Sequence, residues 1–204
     1  NFTGFRLEAN DGFYQHNNKN TVTPPLLDAR ANAGFSGFSY PKGSVTDGAQ
    51  YDLTAAFGAD LSDGKGHFTA YLGYRHANPI LQNRRDYSSC TIQNRNATTL
   101  QCGGSLTNQF GTVVYFPSAS SSSSIGLLGN GTFSPGVQQR YNFAPLNYYQ
   151  RPDERYTAGV FADYEINEAV HPYMEFMFMD DRTVAQIAPS GDFGNTLTIN
   201  CDNP

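Results

Sequence analysis

The sequence predicts an all-β fold in which antiparallel strands form part of a transmembrane β-barrel with long extracellular loops. Five segments alternate apolar and polar residues, as strands do because successive side chains point to opposite faces. Each segment is about 9 to 12 residues long, close to the roughly 9–11 residues that a tilted strand needs to cross a membrane. The connections alternate between tight turns and long loops, which is typical of outer-membrane barrels.

The five segments share an apolar face that is often bounded by aromatic residues. They are GFRLEANDGFYQ (4–15), QYDLTAAFGA (50–59), HFTAYLGYRH (67–76), RYTAGVFADYEI (155–166) and PYMEFMFMDDR (172–182). In the fourth segment this face begins at Tyr156 and reaches Tyr164. One such strand fits the core of a β-sandwich equally well, but five long strands with unequal connections favour contact with lipid.

The connections differ in composition as well as in length. Tight turns are predicted at DLSDGKG (60–66) and NEAVH (167–171), where Asp, Asn and Gly favour reversal of the chain. Long loops are predicted at about 16–49, 78–153 and 185–204. Within the second loop, PSASSSSSIG (117–126) predicts a flexible, low-complexity patch.

The overall composition limits the classes of partner. Charged residues make up 15% of the chain, with 13 Lys and Arg against 18 Asp and Glu and a net charge of −5. Because no cluster of basic residues is present, the sequence predicts no nucleic-acid partner. No apolar stretch reaches the roughly 18 residues of a transmembrane helix.

Three cysteines indicate an oxidising compartment. Cys90 and Cys102 lie in a polar stretch, and their spacing favours a loop disulfide over two free thiols. Cys201 is left over, and an odd cysteine suggests a partner elsewhere in a longer protein. The cysteine spacings do not match a zinc site and the histidines do not cluster, so the sequence predicts neither a metal nor a cofactor.

No group of residues predicts catalysis. The segment GFSG (34–37) lacks the pattern of a nucleophile elbow. Asp180 and Asp181 are adjacent, and adjacent residues of a strand point to opposite faces, so their carboxylates cannot act together. The sequence therefore predicts a protein that is not an enzyme.

Candidate ligand contacts follow from the predicted barrel. Its lumen would be lined by the ionisable residues of the polar strand faces, which are Arg6, Glu8, Arg75, Asp163, Glu165 and Glu175. The structural alternative is that these residues pair with one another. A second set of candidates comprises aromatic residues of the long loops, namely Tyr115, Phe116, Tyr148 and Tyr149.

Several stretches resemble one family. YNFAPLNYYQRPDERYTAGVFADYEIN and YMEFMFMDDRTVAQIAPSGDFG look like the early barrel region of TonB-dependent outer-membrane receptors of Gram-negative bacteria. GFYQHNN, DGKGHFTAYLGYR and RDYSSC fit the same region in the same order, so the resemblance runs from Phe2 to Cys201. It implies a location in the bacterial outer membrane and uptake of a scarce nutrient such as a siderophore, cobalamin or saccharide.

The resemblance also implies partners. These receptors carry an N-terminal plug domain inside a barrel of about twenty-two strands, and the inner-membrane TonB complex displaces the plug to admit the ligand. The chain has neither plug nor enough strands, so 1–204 is expected to be one partial barrel domain of about five strands, a fragment. Its expected partners are lipid, the missing plug and strands, the nutrient, and the TonB complex through the absent N-terminal region.

The alternative is a soluble secreted β-sandwich that binds glycans or serves a structural role. It predicts a self-contained core and glycosylation at sequons such as Asn96 and Asn130. A further alternative is an extracellular assembly that grows through open sheet edges.

Overall fold

A computed structural model describes residues 2–128, 131–135 and 139–191. In chain order the elements are β1 Gly4–Asn18, α1 Thr23–Asn32, β2 Gly43–Asp60, β3 Gly66–Ala77, β4 Ile80–Leu81, β5 Ile92–Asn94, β6 Leu100–Cys102, β7 Thr112–Ser118, β8 Ser121–Leu127, β9 Phe133–Pro135, β10 Tyr148–Gln150, β11 Asp153–Tyr164 and β12 Tyr173–Thr183. Short 3₁₀ turns span Gln82–Arg84 and Ala144–Leu146. The chain is mostly β, as the sequence predicts.

The five predicted strands form one sheet in the order β1-β2-β3-β11-β12. The pairs β2–β3, β3–β11 and β11–β12 are antiparallel. The expectation of an all-β fold with antiparallel strands is therefore confirmed. The chain divides into two compact units: the sheet, built from 2–16, 44–80 and 148–186, and a second unit built from the described residues of 17–43, 81–147 and 187–191.

The register of the sheet gives it one apolar face and one polar face. Ala55 of β2 lies opposite Leu72 of β3, which lies opposite Ala158 of β11, which lies opposite Phe178 of β12. The same face carries Leu53, Phe57, Phe68, Ala70, Val160, Ala162, Met174 and Phe176, as strand alternation requires. Leu72 is 66% exposed and Phe176 is 56% exposed, so no described part of the chain covers this face.

Large aromatic and apolar residues interrupt the polar face, namely Tyr71, Phe161, Tyr173, Met177 and Met179. Phe161 points to the polar side of β11, and its ring stacks on that of Tyr71 with centroids 6.3 Å apart. Tyr71 lies directly opposite Gly159, and its ring occupies the space that a side chain at Gly159 would fill. The glycine thus allows two large rings to lie flat against the sheet.

Two tight turns set the register of the hairpins. The amide of Leu61 donates to the carbonyl of Gly66 at 2.8 Å, and Gly64 adopts a φ of +69° that favours glycine. The amide of Ile166 donates to the carbonyl of Val170 at 3.0 Å across the second turn. Both turns lie where the Asp, Gly and Asn residues predict them.

The long connections carry structure of their own. β1 extends to Asn18 and β2 begins at Gly43, so the first connection is shorter than expected and contains α1. Most of the stretch 117–126, predicted from its composition to be a flexible patch, lies in β7 and β8. The serines pair as β8 with β7, where Val113 and Val114 supply strong strand-forming side chains.

The second unit has a small core of its own. Leu27 of α1 packs with Phe38 and with the disulfide that joins Cys90 to Cys102, whose Cα atoms are 5.6 Å apart. Cys102 is fully buried. Leu26, Phe35 and Tyr40 pack against this cluster. The core collects residues from three distant parts of the chain, so the disulfide closes a packed unit.

Side-chain amides and an arginine hold this unit together. Asn20 Oδ1 accepts the amides of Val22 at 2.9 Å and Thr23 at 2.8 Å, which satisfies donors at the start of α1. Asn142 Nδ2 is buried and donates to the carbonyls of Gly37 at 3.0 Å and Ser89 at 2.8 Å. Buried amides that bind loop carbonyls take the place of sheet hydrogen bonds here.

Arg30, in the last turn of α1, joins the helix to β6. Its Nε donates to the carbonyl of Cys102 at 2.8 Å, and its guanidinium lies over the Phe35 ring. Desolvation, followed by repulsion from Arg140 and Arg95, lowers the pKa of Arg30 below its ordinary value. No helix of the described chain is both long and apolar enough to span a membrane.

Candidate functional site

Charged side chains cross the polar face of the sheet at the end where the long connections leave it. Arg75 of β3 lies opposite Asp52 of β2 and opposite Arg155 of β11. Arg155 in turn lies opposite Asp181 of β12. Four strands therefore each place a charged residue in one row across the sheet.

Ion pairs offset the repulsion between the two arginines. Arg155 donates through Nη2 and Nε to Asp181 Oδ2 at 2.6 and 2.9 Å. Arg75 Nε lies 3.7 Å from Asp153 Oδ2, and Arg155 Nη2 lies 4.0 Å from Asp153 Oδ1. Because Arg75 makes only the longer contact, its guanidinium retains donors for another group.

A pocket of about 280 Å³ opens beside this row. It is lined by Asn10, Asp11, Gly12, Gln50, Tyr51, Asp52 and Arg75. Gly12 and Gln50 belong to the same face, because a Cβ on Gly12 would lie 3.5 Å from Gln50 Nε2. Asn10 precedes Gly12 by two residues in β1 and so shares that face. The pocket therefore occupies the place where Gly12 has no side chain.

The structure brings only one of the ionisable candidates, Arg75, to this pocket. Arg6 and Glu8 pair with each other on β1. Glu165 follows β11 and lies 3.5 Å from His171 Nε2. Asp163 lies opposite His67 in β3, and Glu175 lies opposite Phe161. These residues do not form a single site.

A second polar cluster lies near the first tight turn. His67 is 7% exposed, and its Nδ1 lies 2.8 Å from Asp60 Oδ1. Its Nε2 lies 3.1 Å from Thr69 Oγ1. Both ring nitrogens of His67 therefore have partners on the same hairpin, so we interpret this histidine as a residue that stabilises the hairpin.

The loop aromatics are separated by the fold. Tyr115 and Phe116 lie in β7 of the second unit, whereas Tyr148 and Tyr149 lie in β10 of the sheet unit. Phe116 and Tyr149 are both well exposed. Tyr115 and Phe116 therefore belong to a different unit from Tyr148 and Tyr149, and the four residues do not form one site within either unit.

Tyrosines gather at one end of the apolar face. The ring centroids of Tyr74 and Tyr156 are 4.9 Å apart, and those of Tyr51 and Tyr74 are 5.9 Å apart. The hydroxyls of Tyr74 and Tyr156 donate to Glu154 Oε1 at 3.2 and 3.0 Å. His76 stacks on Tyr51 at 5.1 Å. The cluster has apolar rings on one side and satisfied polar groups on the other.

Sequence reasoning did not identify most residues of the pocket and the charged row. Asp52 and Arg155 belong to polar faces that the alternation shows, and Asn10 and Gln50 lie within predicted strands without a predicted role. The cross-strand pairs of the charged row could have been predicted from the two tight turns, since turn length fixes which residues of a hairpin lie opposite each other. Counting back from those turns pairs Asp52 with Arg75 and Arg155 with Asp181.

Other predictions for the site have different outcomes. The disulfide between Cys90 and Cys102 is present. Cys201 lies outside the described residues. Among the residues that the structure describes, no three His, Cys, Asp or Glu side chains form a group that could hold a metal ion. The site thus consists of a hydrogen-bonding pocket beside an ion-paired row.

Comparison with known proteins adds no assignment. No family model matches the chain, and neither a curated protein nor a solved structure is significantly similar to it.

Proposed function

We propose that this chain forms part of the wall of a β-barrel in the bacterial outer membrane, in a receptor that takes up a scarce nutrient. The single observation that carries the proposal is the uncovered apolar face of the five-stranded sheet. An apolar sheet face must be buried against something, and large exposed apolar patches mark contact with a membrane or another protein. Lipid is the partner that fits a face with strands of this length.

Aromatic residues at both ends of the apolar face support contact with lipid. Tyr156 and Tyr164 lie eight positions apart on β11, or about 26 Å at roughly 3.3 Å per residue. That span is comparable with the roughly 25 Å apolar band of outer-membrane barrels. The tyrosine cluster at one end and the ring pair Phe57–Phe68 at the other match the aromatic girdles of such barrels.

The opposite face supports a role in transport. It carries the ion-paired row and the pocket-lining residues Gln50, Asp52 and Arg75, alongside the apolar Met177 and Met179. In a barrel this face points to the lumen, where it would contact a small-molecule ligand or a plug domain. Binding and passage require no covalent chemistry, so the protein would not act as an enzyme.

The proposed partners follow from the open edges and from the resemblance described above. β1 and β12 are the outer strands of the sheet, and in lipid their free backbone groups need further strands. A plug domain and coupling to the TonB complex rest on the resemblance to TonB-dependent receptors. The disulfide-linked second unit suits an extracellular loop region, because disulfides persist in oxidising compartments.

Adjacent residues of β12 provide the test. Phe176 belongs to the apolar face and Glu175 to the polar face. We expect Phe176→Lys to reduce the amount of native protein in the outer-membrane fraction, because a lysine facing the middle of the bilayer costs about 2–4 kcal/mol. Glu175→Lys, the matched control, should leave that amount nearly unchanged, as measured by quantitative immunoblotting of fractionated cells.

The rival soluble module gives a different result. If the native protein is recovered without detergent and both lysine variants behave alike, the outer-membrane proposal is overturned. Lipid contact also predicts that a cysteine introduced at position 176 reacts with a membrane-soluble maleimide and resists a water-soluble one.

A further inference from the structure

We propose that the pocket over Gly12 binds one neutral saccharide ring, an inference that rests on the proposed uptake function for its biological role. The lining residues of the pocket come from β1, β2 and β3; by strand alternation Gln50, Asp52 and Arg75 share the polar face of the sheet, whereas Tyr51 belongs to the other face. The lining side chains provide the chemistry that a polyol requires, and the pocket is too small for a complete siderophore or cobalamin.

The wall of the pocket offers both donors and acceptors. Asn10 and Gln50 each carry an amide that donates and accepts, Asp52 accepts, and Arg75 donates. Each hydroxyl group of a sugar can both donate and accept a hydrogen bond. A sugar hydroxyl can therefore donate to Asp52, accept from Arg75, or do either with the amides of Asn10 and Gln50.

These side chains retain hydrogen-bonding capacity. Among the described residues, the side chains of Asn10 and Gln50 form no hydrogen bond. Asp52 Oδ1 accepts only a long bond of 3.4 Å from Thr54 Oγ1. Arg75 contacts Asp153 at 3.7 Å. A bound ligand would satisfy groups that the protein itself leaves unsatisfied.

The charge of the pocket disfavours an anion. Asp52 and Arg75 are direct partners across β2 and β3, so a carboxylate and a guanidinium lie side by side. An anion would meet the carboxylates of Asp11 and Asp52 in the lining and the nearby Asp153, whereas a cation would meet Arg75 and the nearby Arg155. The lining holds two carboxylates and one guanidinium, so it does not favour an anion, and a neutral polyol would bind through hydrogen bonds alone.

The size of the pocket favours a single ring. Its volume of about 280 Å³ lies just below the range of about 300–1,000 Å³ that is typical of ligand pockets. A complete siderophore or a cobalamin would not fit within it. One ring of a saccharide would fit.

The test is ligand binding to the native protein in detergent, followed by saturation-transfer NMR and calorimetry. The probes are D-glucose and maltose, with glycine, a zwitterion, and inorganic phosphate, an anion, as comparisons. We expect binding of at least one sugar and of neither comparison compound. Gln50→Ala and Asp52→Asn should each weaken sugar binding by at least about tenfold, the effect of one lost hydrogen bond to a buried or charged group.

A filled pocket and a matched control sharpen the test. Gly12→Leu should abolish sugar binding because its side chain would enter the pocket, and circular dichroism must show that the variant remains folded. Gln101→Ala removes the same amide from β6 in the second unit and should bind sugar as the unmodified protein does. If Gly12→Leu does not fold, the Gln50→Ala and Asp52→Asn affinities decide the result.

The outcomes separate this inference from the proposed function. Binding of glycine or phosphate but not sugar, or sugar binding that the pocket variants leave unchanged, would overturn the saccharide pocket alone. Sugar binding by a native protein that needs no detergent would retain the pocket and overturn the outer-membrane function. Loss of outer-membrane protein in Phe176→Lys without any sugar binding would retain that function and reject the pocket.

Discussion

At the scale of single residues, the first tight turn depends on one carboxylate. Tyr164 donates from its hydroxyl to Asp63 Oδ2 at 2.7 Å, and the amide of Lys65 donates to Asp63 Oδ1 at 3.0 Å. The bond from Tyr164, followed by that from Lys65, lowers the pKa of Asp63 below its ordinary value of 3.8. Both hydrogen bonds favour the ionised carboxylate, so they stabilise the turn most when Asp63 is charged.

The lowered pKa gives the turn a defined pH dependence. The contribution of Asp63 to stability is complete above pH 3.8, the ordinary value, and is lost as the pH falls through the lower pKa of the folded state. We expect Tyr164→Phe to raise the pKa of Asp63 toward its ordinary value, as measured by NMR titration of the side-chain carboxyl carbon. Tyr156→Phe removes a hydroxyl that binds Glu154 instead, and an equal shift in that control would contradict the assignment.

At the scale of elements, Gly66 shows how closely β3 approaches β11. A Cβ added to Gly66 would lie 2.6 Å from the carbonyl oxygen of Asp163, 2.7 Å from the Tyr164 ring and 2.8 Å from Leu61 Cδ1. The carbonyl belongs to a paired strand and cannot move without breaking the ladder. Glycine at the start of β3 is therefore required by packing rather than by its φ angle.

Gly66→Ala should destabilise the sheet by about 1–3 kcal/mol, because overpacking forces the backbone of a neighbouring strand to shift. The measurement is the free energy of unfolding from urea titration in detergent. Gly12→Ala is the matched control, since its Cβ would make only ordinary contacts of 3.5 and 3.6 Å with Gln50. Equal losses in the two variants would show that intrinsic strand preference, and not the contact with Asp163, causes the effect.

The elements also show how far local patterns lead. All five long strands could be predicted, because alternation is a property of neighbouring residues, as at Tyr156, Ala158 and Val160. The pairing of β3 with β11 joins residues some eighty positions apart, for example Tyr74 and Tyr156. No local pattern specifies that pair, although the turns on either side fix its neighbours. The pocket could not be predicted because it depends on Gly12. The missing side chain matters only because Gln50 lies beside it, and the sequence does not show that contact.

At the scale of the whole molecule, the chain combines two units that are built on different principles. The sheet has an apolar face without a core of its own, whereas the second unit buries Leu27, Phe38 and the disulfide. The sequence did not predict that second core, because its members lie far apart and follow no period. Buried amides such as Asn142 hold the unit together, and polar residues of this kind resemble ordinary loop residues in a sequence.

The disulfide should matter most for the second unit. It joins positions 12 residues apart, and the loop-closure relation gives about 3 kcal/mol for a ring of that size. We expect the variant with both Cys90→Ser and Cys102→Ser to lose amide protection in peptides from 81–128, as measured by hydrogen exchange and mass spectrometry. Dithiothreitol should reduce protection in the unmodified protein to the same level and should have no effect on the double variant; an effect there would assign the loss to another cause.

The two tight turns also determine where the length of the chain can change. One residue inserted between Leu61 and Lys65 would shift β3 by one position against β2 and exchange its faces. Leu72 would then face the pocket side and Arg75 the apolar side. An insertion in the long connection between β3 and β11 need not disturb that pairing, so differences in length among natural or engineered forms should accumulate in the long connections and be excluded from the turns.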